Sequence, residues 1–318
     1  MEQEEIIQGT FYLKKCRMVL RSAESLPALL LLSRRLTETG IRCEALLSEE
    51  LLAEKIYLEV GDPGEAPEGL LYLTDDPQVY ACLMAGASEA RGSFHREPAR
   101  THQPPVLIYL HPGNQGEDFA DARYALEDPA EVEPEYLERV YRRCHDLPWE
   151  ILTTERCWLR ETVEADVDKF WKMYQAPGIT RYTERLFPTL EAERGYVREY
   201  RRRIYPFYEF GVWTVLDRSS GDVVGRAGLS VREGYHLPEL GFVIGEAWQG
   251  RGLATEVCRG ILEYAREQLG FAQVQVLVHE ENAASLHLCR KLGFQEEKAV
   301  EMEQNGHRAR FIYMVCKS

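Results

Sequence analysis

Between Trp248 and Thr255 the chain reads Trp-Gln-Gly-Arg-Gly-Leu-Ala-Thr, a turn with two glycines two residues apart, set between a strand pattern and a helix pattern. Small residues at such a turn let successive backbone N–H groups point at one ligand, and the helix that follows adds the positive end of its dipole. The segment therefore suits an anion of the pyrophosphate kind. It is not a GxGxxG dinucleotide fingerprint, because Thr255 stands three residues after Gly252, and it is not a P-loop, because no Gly-Lys-Ser/Thr follows. The strand leading into it opens on a carboxylate, Glu239, in Pro238-Glu239-Leu240-Gly241-Phe242. Read by itself, Glu239 is equally an ordinary exposed strand-start acid. Metal chemistry has no comparable support. The eight cysteines, Cys16, Cys43, Cys82, Cys144, Cys157, Cys258, Cys289 and Cys316, form no CxxC pair and no cluster with histidine, so no metal site is expected and the thiols read as reduced.

Hydrophobic spacing supplies the elements that must position this turn. In the second half it predicts a strand over 157–161, helices over 164–174 and 190–203, and three successive strands over 211–216, 223–231 and 239–244, with Ser219-Ser220-Gly221-Asp222 as a hairpin turn. A helix over 254–269 then ends at Gly270, a strand over 273–278 leads to a helix over 283–292, and 299–303 with 308–315 form a closing hairpin around Asn305-Gly306.

The first half alternates strands, over 17–20, 42–46, 69–74, 106–110 and 123–126, with helices over 25–39 and 77–85, and Gly40 sits where a helix C-terminal glycine belongs. Such alternation implies a small parallel α/β sheet. Residues 61–69 and 111–116 read as loops, and His95, His102 and His111 as solvated residues of loop-like sequence. Asp75-Asp76 falls at the carboxyl end of a strand, where open α/β sheets bind ligands, but Asp76 or Thr74 serves equally as the cap of a helix with Pro77 at its first position. A helix over 134–145 and the junction Asp146-Leu147-Pro148-Trp149 close this half. The expected domains are 1–148 and 149–318, which suits a chain of 318 residues.

The motifs of the second half carry a family likeness. Gln249-Gly250-Arg251-Gly252-Leu253-Ala254 is similar to the Q/R-x-x-G-x-G/A signature of the GNAT superfamily of acyl-CoA-dependent N-acetyltransferases, and Thr255-Glu256 extends it as in the ribosomal-protein-alanine acetyltransferase subgroup. Asn282, Ser285, Lys291, Gly293 and Phe294 match that family's N-x-x-S followed by K-x-G-F. The likeness spans residues 150 to 318. It implies an α+β domain with a mixed, splayed central sheet, acetyl-CoA as acyl donor and an amine as acceptor. The first half resembles a haloacid dehalogenase-like or receiver-like α/β domain, but Arg17-Met18-Val19-Leu20 stands where a DxDx[TV] nucleophile motif belongs, so no phosphatase chemistry is expected of it.

By that resemblance, backbone N–H groups from Gln249 through Gly250, Arg251, Gly252, Leu253 and Ala254 hold the cofactor pyrophosphate, and Thr255 adds a hydroxyl. The pantetheine arm lies like an extra strand against main-chain groups of Phe242, Val243 and Ile244. Asn282 and Ser285 contact the arm or the phosphates, and Asn282 is in any case placed to cap a helix. The amine must lose a proton before it attacks the thioester, and Glu239 occupies the position of a carboxylate base in relatives. Many relatives carry a tyrosine acid seven residues after the asparagine. Cys289 stands there, as the candidate acid or as a small packing residue. A backbone N–H near Val243 or Ile244 is the implied oxyanion donor. Specificity is expected from 174–187 and 194–210. Within that span Arg201-Arg202-Arg203 reads as a solvated face, and Tyr205, Phe207, Tyr208 and Phe210 as cleft or packing residues.

Charge divides unevenly. Residues 1–150 hold 15 Lys and Arg against 28 Asp and Glu, net −13, while 151–318 hold 23 against 24, net −1. Phosphate repulsion argues against a nucleic-acid partner for the first half. No apolar run reaches the roughly 18 residues of a membrane helix, and the acidic start Met-Glu-Gln-Glu-Glu lacks the layout of a secretory signal, so the expected compartment is the cytoplasm and no membrane partner is expected. The expected activity is acetyl transfer to a small-molecule amine or a protein N-terminus. The alternatives are a non-catalytic acyl-CoA sensor with a regulatory first domain, or an acidic first domain that docks a basic protein substrate.

Overall fold

The computed structural model describes residues 11–48, 69–89, 105–119 and 122–317, so the expected loop over 61–68, His95 and His102 lie outside the described residues. The chain divides into two compact units, Met1–Leu147 and Pro148–Ser318.

In the first unit the apolar runs Leu-Leu-Tyr-Leu-Thr and Val-Leu-Ile-Tyr are buried along their whole length, as parallel strands covered on both faces must be. Strands β1 (Lys15–Leu20), β2 (Arg42–Leu47), β3 (Leu70–Thr74), β4 (Val106–Tyr109) and β5 (Ala125–Leu126) form a parallel sheet in the order β2-β1-β3-β4-β5, the doubly wound order. Alternate residues go to opposite faces. Met18, Leu20, Leu71, Leu73 and Leu107 pack with helices α1 (Leu26–Glu38) and α3 (Pro134–Cys144), whereas Val19, Tyr72, Val106 and Ile108 pack with α2 (Pro77–Glu89).

The acidic pair after β3 divides its work. Asp76 accepts from the N–H of Gln78 at 2.8 Å and so caps α2. Asp75, 1% exposed, accepts from the Arg21 N–H at 2.7 Å and the Ser25 hydroxyl at 2.6 Å, and faces the His111 imidazole at 3.2 Å. Both carboxylate oxygens thus tie together the loops that follow β1, β3 and β4. His111 is part of that tie rather than a free surface residue.

The second unit is built on an eight-stranded mixed sheet in the order β12-β13-β11-β10-β9-β8-β7-β6. Its strands are β6 (Glu150–Thr153), β7 (Cys157–Glu161), β8 (Val212–Asp217), β9 (Val223–Ser230), β10 (Glu239–Ile244), β11 (Gln273–His279), β12 (Gln295–Gln304) and β13 (His307–Lys317). Strand β6 follows directly on the junction Asp146-Leu147-Pro148-Trp149, in residues for which the spacing predicts no element, because a four-residue edge strand is too short to show an alternating pattern. The closing hairpin is longer than its apolar residues suggest, since exposed charged residues extend β12. One face is covered by α7 (Leu253–Glu267) and α8 (Ala283–Lys291), whose Val257, Ile261 and Leu286 pack on Leu229, Leu240, Val274 and Val276. Toward the other face turn α4 (Val167–Met173), the short α5 (Pro177–Thr180) and α6 (Leu190–Tyr208), with the Arg226 guanidinium of β9 lying 4.9 Å over the Phe170 ring of α4. A parallel sheet in the first unit and a mixed sheet in the second agree with the expected fold class.

Candidate active site

Strands β10 and β11 run parallel and have six and seven residues, yet they pair at one position only, Glu239 opposite Gln275. Beyond that vertex the strands part. Main-chain groups alternate sides along a strand. The Pro238 carbonyl accepts from Gln275 across the vertex, and the Gly245 N–H donates to Val224 on β9. The alternation therefore turns the N–H and C=O of Phe242 and Ile244 toward the gap and those of Val243 toward β9. A methyl group at Gly225 would sit 2.0 Å from the Val243 carbonyl oxygen, which is why β9 has glycine there. Of the three main-chain groups expected to line the pantetheine arm, two face the gap and Val243 does not.

The gap leads to the glycine turn. After β10 a single 3-10 turn, Glu246–Trp248, leads into Gln249-Gly250-Arg251-Gly252, and Gly252 caps α7 with φ +78° after Gly250 at +73°. Both conformations favour glycine, and a methyl group at Gly250 would meet nothing within 4 Å. This fits an anion at the start of α7. Gln249 Nε2 donates to the Ile244 carbonyl at 2.8 Å and fixes the turn to the end of β10. From the β6–β7 connection, Arg156 Nη1 donates to the Arg251 carbonyl at 2.9 Å, its N–H donates to Glu256 at 2.7 Å, and the Thr154 hydroxyl donates to Glu256 at 2.6 Å. Burial alone would raise the Glu256 carboxyl, but the hydrogen bonds from Thr154 and Arg156 outweigh it and hold the group below the ordinary carboxylate range. Leu253 is buried against the core, while Ala254 and Thr255 are half-buried in the first turn of α7. Asn282 caps α8 by accepting from the Ser285 N–H at 3.2 Å.

A cleft of about 640 Å³ lies along the gap. Glu239, Phe242, Val243, Asn282 and Ser285 line it; Ile244 and the turn Gln249 to Thr255 follow along the chain at the end of β10 and are not among its lining residues. Glu239 is 7% exposed, and its two carboxylate oxygens accept from Nε and Nη2 of Arg232, the latter at 2.9 Å. Its register neighbour Gln275 is fully buried, and neither polar atom of its side chain has a hydrogen-bond partner among the described residues. On the same face, Arg226 Nη1 lies 3.9 Å from the buried Glu193 of α6. The aromatic wall consists of Tyr174, Tyr182, Phe187, Tyr196 and Tyr200. Tyr205 and Phe210 are instead core residues, and Phe207 is 77% exposed. Arg202 and Arg203 both pair with Glu199 on the exposed side of α6, as a solvated face requires.

Cys289 is not in the cleft. It is fully buried among the α7 and α8 core residues, and desolvation pushes its thiol up to about 12. Its side chain is too short to reach past the core-facing side of α8. Arg232, Gln275 and the cleft residue His279 carry no local sequence signal; each gains its place from strand register or from the loop after β9.

A splayed parallel pair leading to a glycine turn at a helix N-terminus defines a class of cofactor-binding enzyme, and comparison with known proteins agrees. Residues 156–295 match the acetyltransferase (GNAT) domain. The uncharacterised N-acetyltransferase YoaA of Bacillus subtilis (strain 168) is 26% identical over 166 residues, which is 49% of this chain and 90% of that one. The [ribosomal protein uS5]-alanine N-acetyltransferase of Escherichia coli (strain K12) is 29% identical over 109 residues, 34% of this chain and 54% of that one. A GNAT-family acetyltransferase structure from Bacillus anthracis aligns at 19% identity and a TM-score of 0.46, covering 53% of this chain and 98% of that one. The C-terminal half of the chain is a GNAT acetyltransferase domain. It is an acetyl-CoA-dependent N-acetyltransferase, moving an acetyl group from acetyl-CoA to an amine. Among the described residues no helix is long and apolar enough to cross a membrane.

Proposed function

We propose that the amine attacks the thioester directly in a ternary complex, with Glu239 as general base, within a domain comprising residues 149–318. The observation that carries this reading is the position of Glu239 at the vertex from which the β10–β11 gap opens, in the cleft that also holds Phe242, Asn282 and Ser285. Bound acetyl-CoA supplies an activated thioester carbonyl. The turn Gln249 to Thr255 holds the pyrophosphate, Phe242 and Ile244 present main-chain groups to the arm, and Asn282 and Ser285 stand at its flank. The Ile244 N–H, turned to the gap, is the oxyanion donor favoured over Val243. The acceptor loses its proton to Glu239, directly or through water, once the Arg232 fork turns aside. As the N–C bond forms the C–S bond breaks, and the thiolate takes its proton from water or from a cleft-wall group other than Cys289.

The test uses the full-length protein with acetyl-CoA and amines of three kinds: free amino acids, polyamines and an alanine-initiated peptide. Thiol release on at least one is expected, with strong loss in Glu239→Gln. The Arg232 fork favours a second reading, since it occupies both oxygens of the base: an acyl-CoA sensor in which residues 1–148 serve as regulatory or partner-docking module. Acetyl-CoA binding without thiol release on any amine would select the sensor. An acidic first domain could also recruit a basic protein acceptor, in which case affinity for that acceptor falls with salt.

A further inference from the structure

Two segments about 120 residues apart meet at the rim of the cleft. Residues 182–187, in the loop joining α5 to α6, all line it and belong to no helix or strand. Facing them is the turn of the β12–β13 hairpin, whose Met302, Glu303 and Gln304 line the cleft too. Asn305 Nδ2 donates to the Thr183 carbonyl at 3.1 Å, and Asn305 Oδ1 accepts from the Arg185 N–H at 3.1 Å. Next to it, Gln304 Nε2 donates to the Tyr182 carbonyl at 3.2 Å. One amide thus holds two peptide groups of the loop, a donor to one and an acceptor to the other. The hairpin can bear this role because β13 is laddered to β11 along seven positions, which ties the turn to the middle of the sheet. Asn305 has φ +52° and Gly306 +81°, the pair of left-handed residues a two-residue hairpin needs, and asparagine is the residue that meets that backbone while offering both a donor and an acceptor.

We infer that Asn305 is a positioning residue for the amine acceptor: it clamps 182–187 into the shape that forms the acceptor wall of the cleft. The inference rests on the acetyl-transfer reading above. Among the described residues its side chain bonds only to this loop, so its effect should fall on the acceptor and not on acetyl-CoA.

The test uses two full-length variants. Asn305→Gly keeps the left-handed turn and removes both bonds; Asn305→Asp keeps the acceptor for the Arg185 N–H and replaces the donor to Thr183 by a repelling oxygen. The probes are an alanine-initiated hexapeptide, L-methionine and spermidine, read on whichever the wild-type chain acetylates fastest. Losing two exposed amide bonds should raise the probe KM in Asn305→Gly by about tenfold, with kcat within about twofold and an unchanged acetyl-CoA Kd. Asn305→Asp should raise it at least severalfold. An unchanged probe KM accompanied only by a lower Tm would overturn the inference, as would a loss of acetyl-CoA affinity equal to the rise in KM. A wild-type chain that binds acetyl-CoA but acetylates none of the probes would overturn the acceptor reading of the cleft itself. A probe KM left at the wild-type value in both variants, on a probe the wild-type chain does acetylate, would overturn the clamp alone.

Discussion

As the proposed base, Glu239 has to accept the proton of the amine on a carboxylate whose two oxygens are each already bonded to Arg232. A bidentate fork is the strongest way to hold a carboxylate, so the approach of a cationic acceptor has to compete with it. Glu239→Gln preserves size and one acceptor oxygen but cannot accept the proton. Turnover should fall by roughly a hundredfold or more; a Glu239→Gln chain that keeps wild-type kcat removes Glu239 from the mechanism. Cys289→Ser tests the opposite case. Putting a hydroxyl where the thiol packs among core residues should cost about 1–3 kcal/mol and lower Tm, while kcat per folded molecule stays at the wild-type value. Gln275 stands beside Glu239, as an amide at the vertex whose two polar atoms find no partner among the described residues.

At the scale of the element, the site depends on how a strand hands over to a helix. The turn at Gly250 and Gly252 was legible in the sequence because its signal is local: φ above zero at two glycines, then a helix start. The same holds for Asn282, which caps α8 as its spacing suggested. Gly252→Ala keeps ordinary contacts, with Arg156 Nη2 at 3.7 Å, but forces an alanine to φ +78° at a cost of about 1–2 kcal/mol. Acetyl-CoA Kd should rise about tenfold, measured by titration calorimetry, while the acceptor KM changes little. What the sequence does not disclose are pairings that only register creates. Glu239 meets Gln275 because two strands meet at one rung, and Asn305 meets Thr183 because a hairpin folds over a distant loop. Neither leaves a pattern within a window of a dozen residues. Cys289 misleads for a related reason: spacing from Asn282 gives the helix face correctly, but not how far a short side chain extends.

For the whole molecule, the cysteines report on both units at once. All eight are free, and only Cys82, on α2, is exposed. Burial raises the thiols of Cys16, Cys258 and Cys289, and those of Cys144 and Cys157 to about 11, so each carries less thiolate near neutrality than an open cysteine. A disulfide-exchange reagent at pH 8 should therefore meet one fast thiol in the native chain and none in Cys82→Ser; several fast thiols would mean that the cores open. The two units were expected from the charge imbalance, and the excess acidity lies in the one that contributes none of the site residues named above.

Strand β6 gives the border between the units a practical meaning. The matched family region begins at Arg156, but the carboxylate that braces the glycine turn is held by Thr154 as well as by Arg156, and both sit on the connection that β6 starts at Glu150. A chain cut at the edge of the family match would keep every signature residue, yet it would lose half of the brace and leave β7 as a bare sheet edge, open to pairing with another copy. Poor solubility and weak acetyl-CoA retention in such a truncation would then reflect a missing margin of eight residues, and not any dependence of the enzyme on its acidic neighbour.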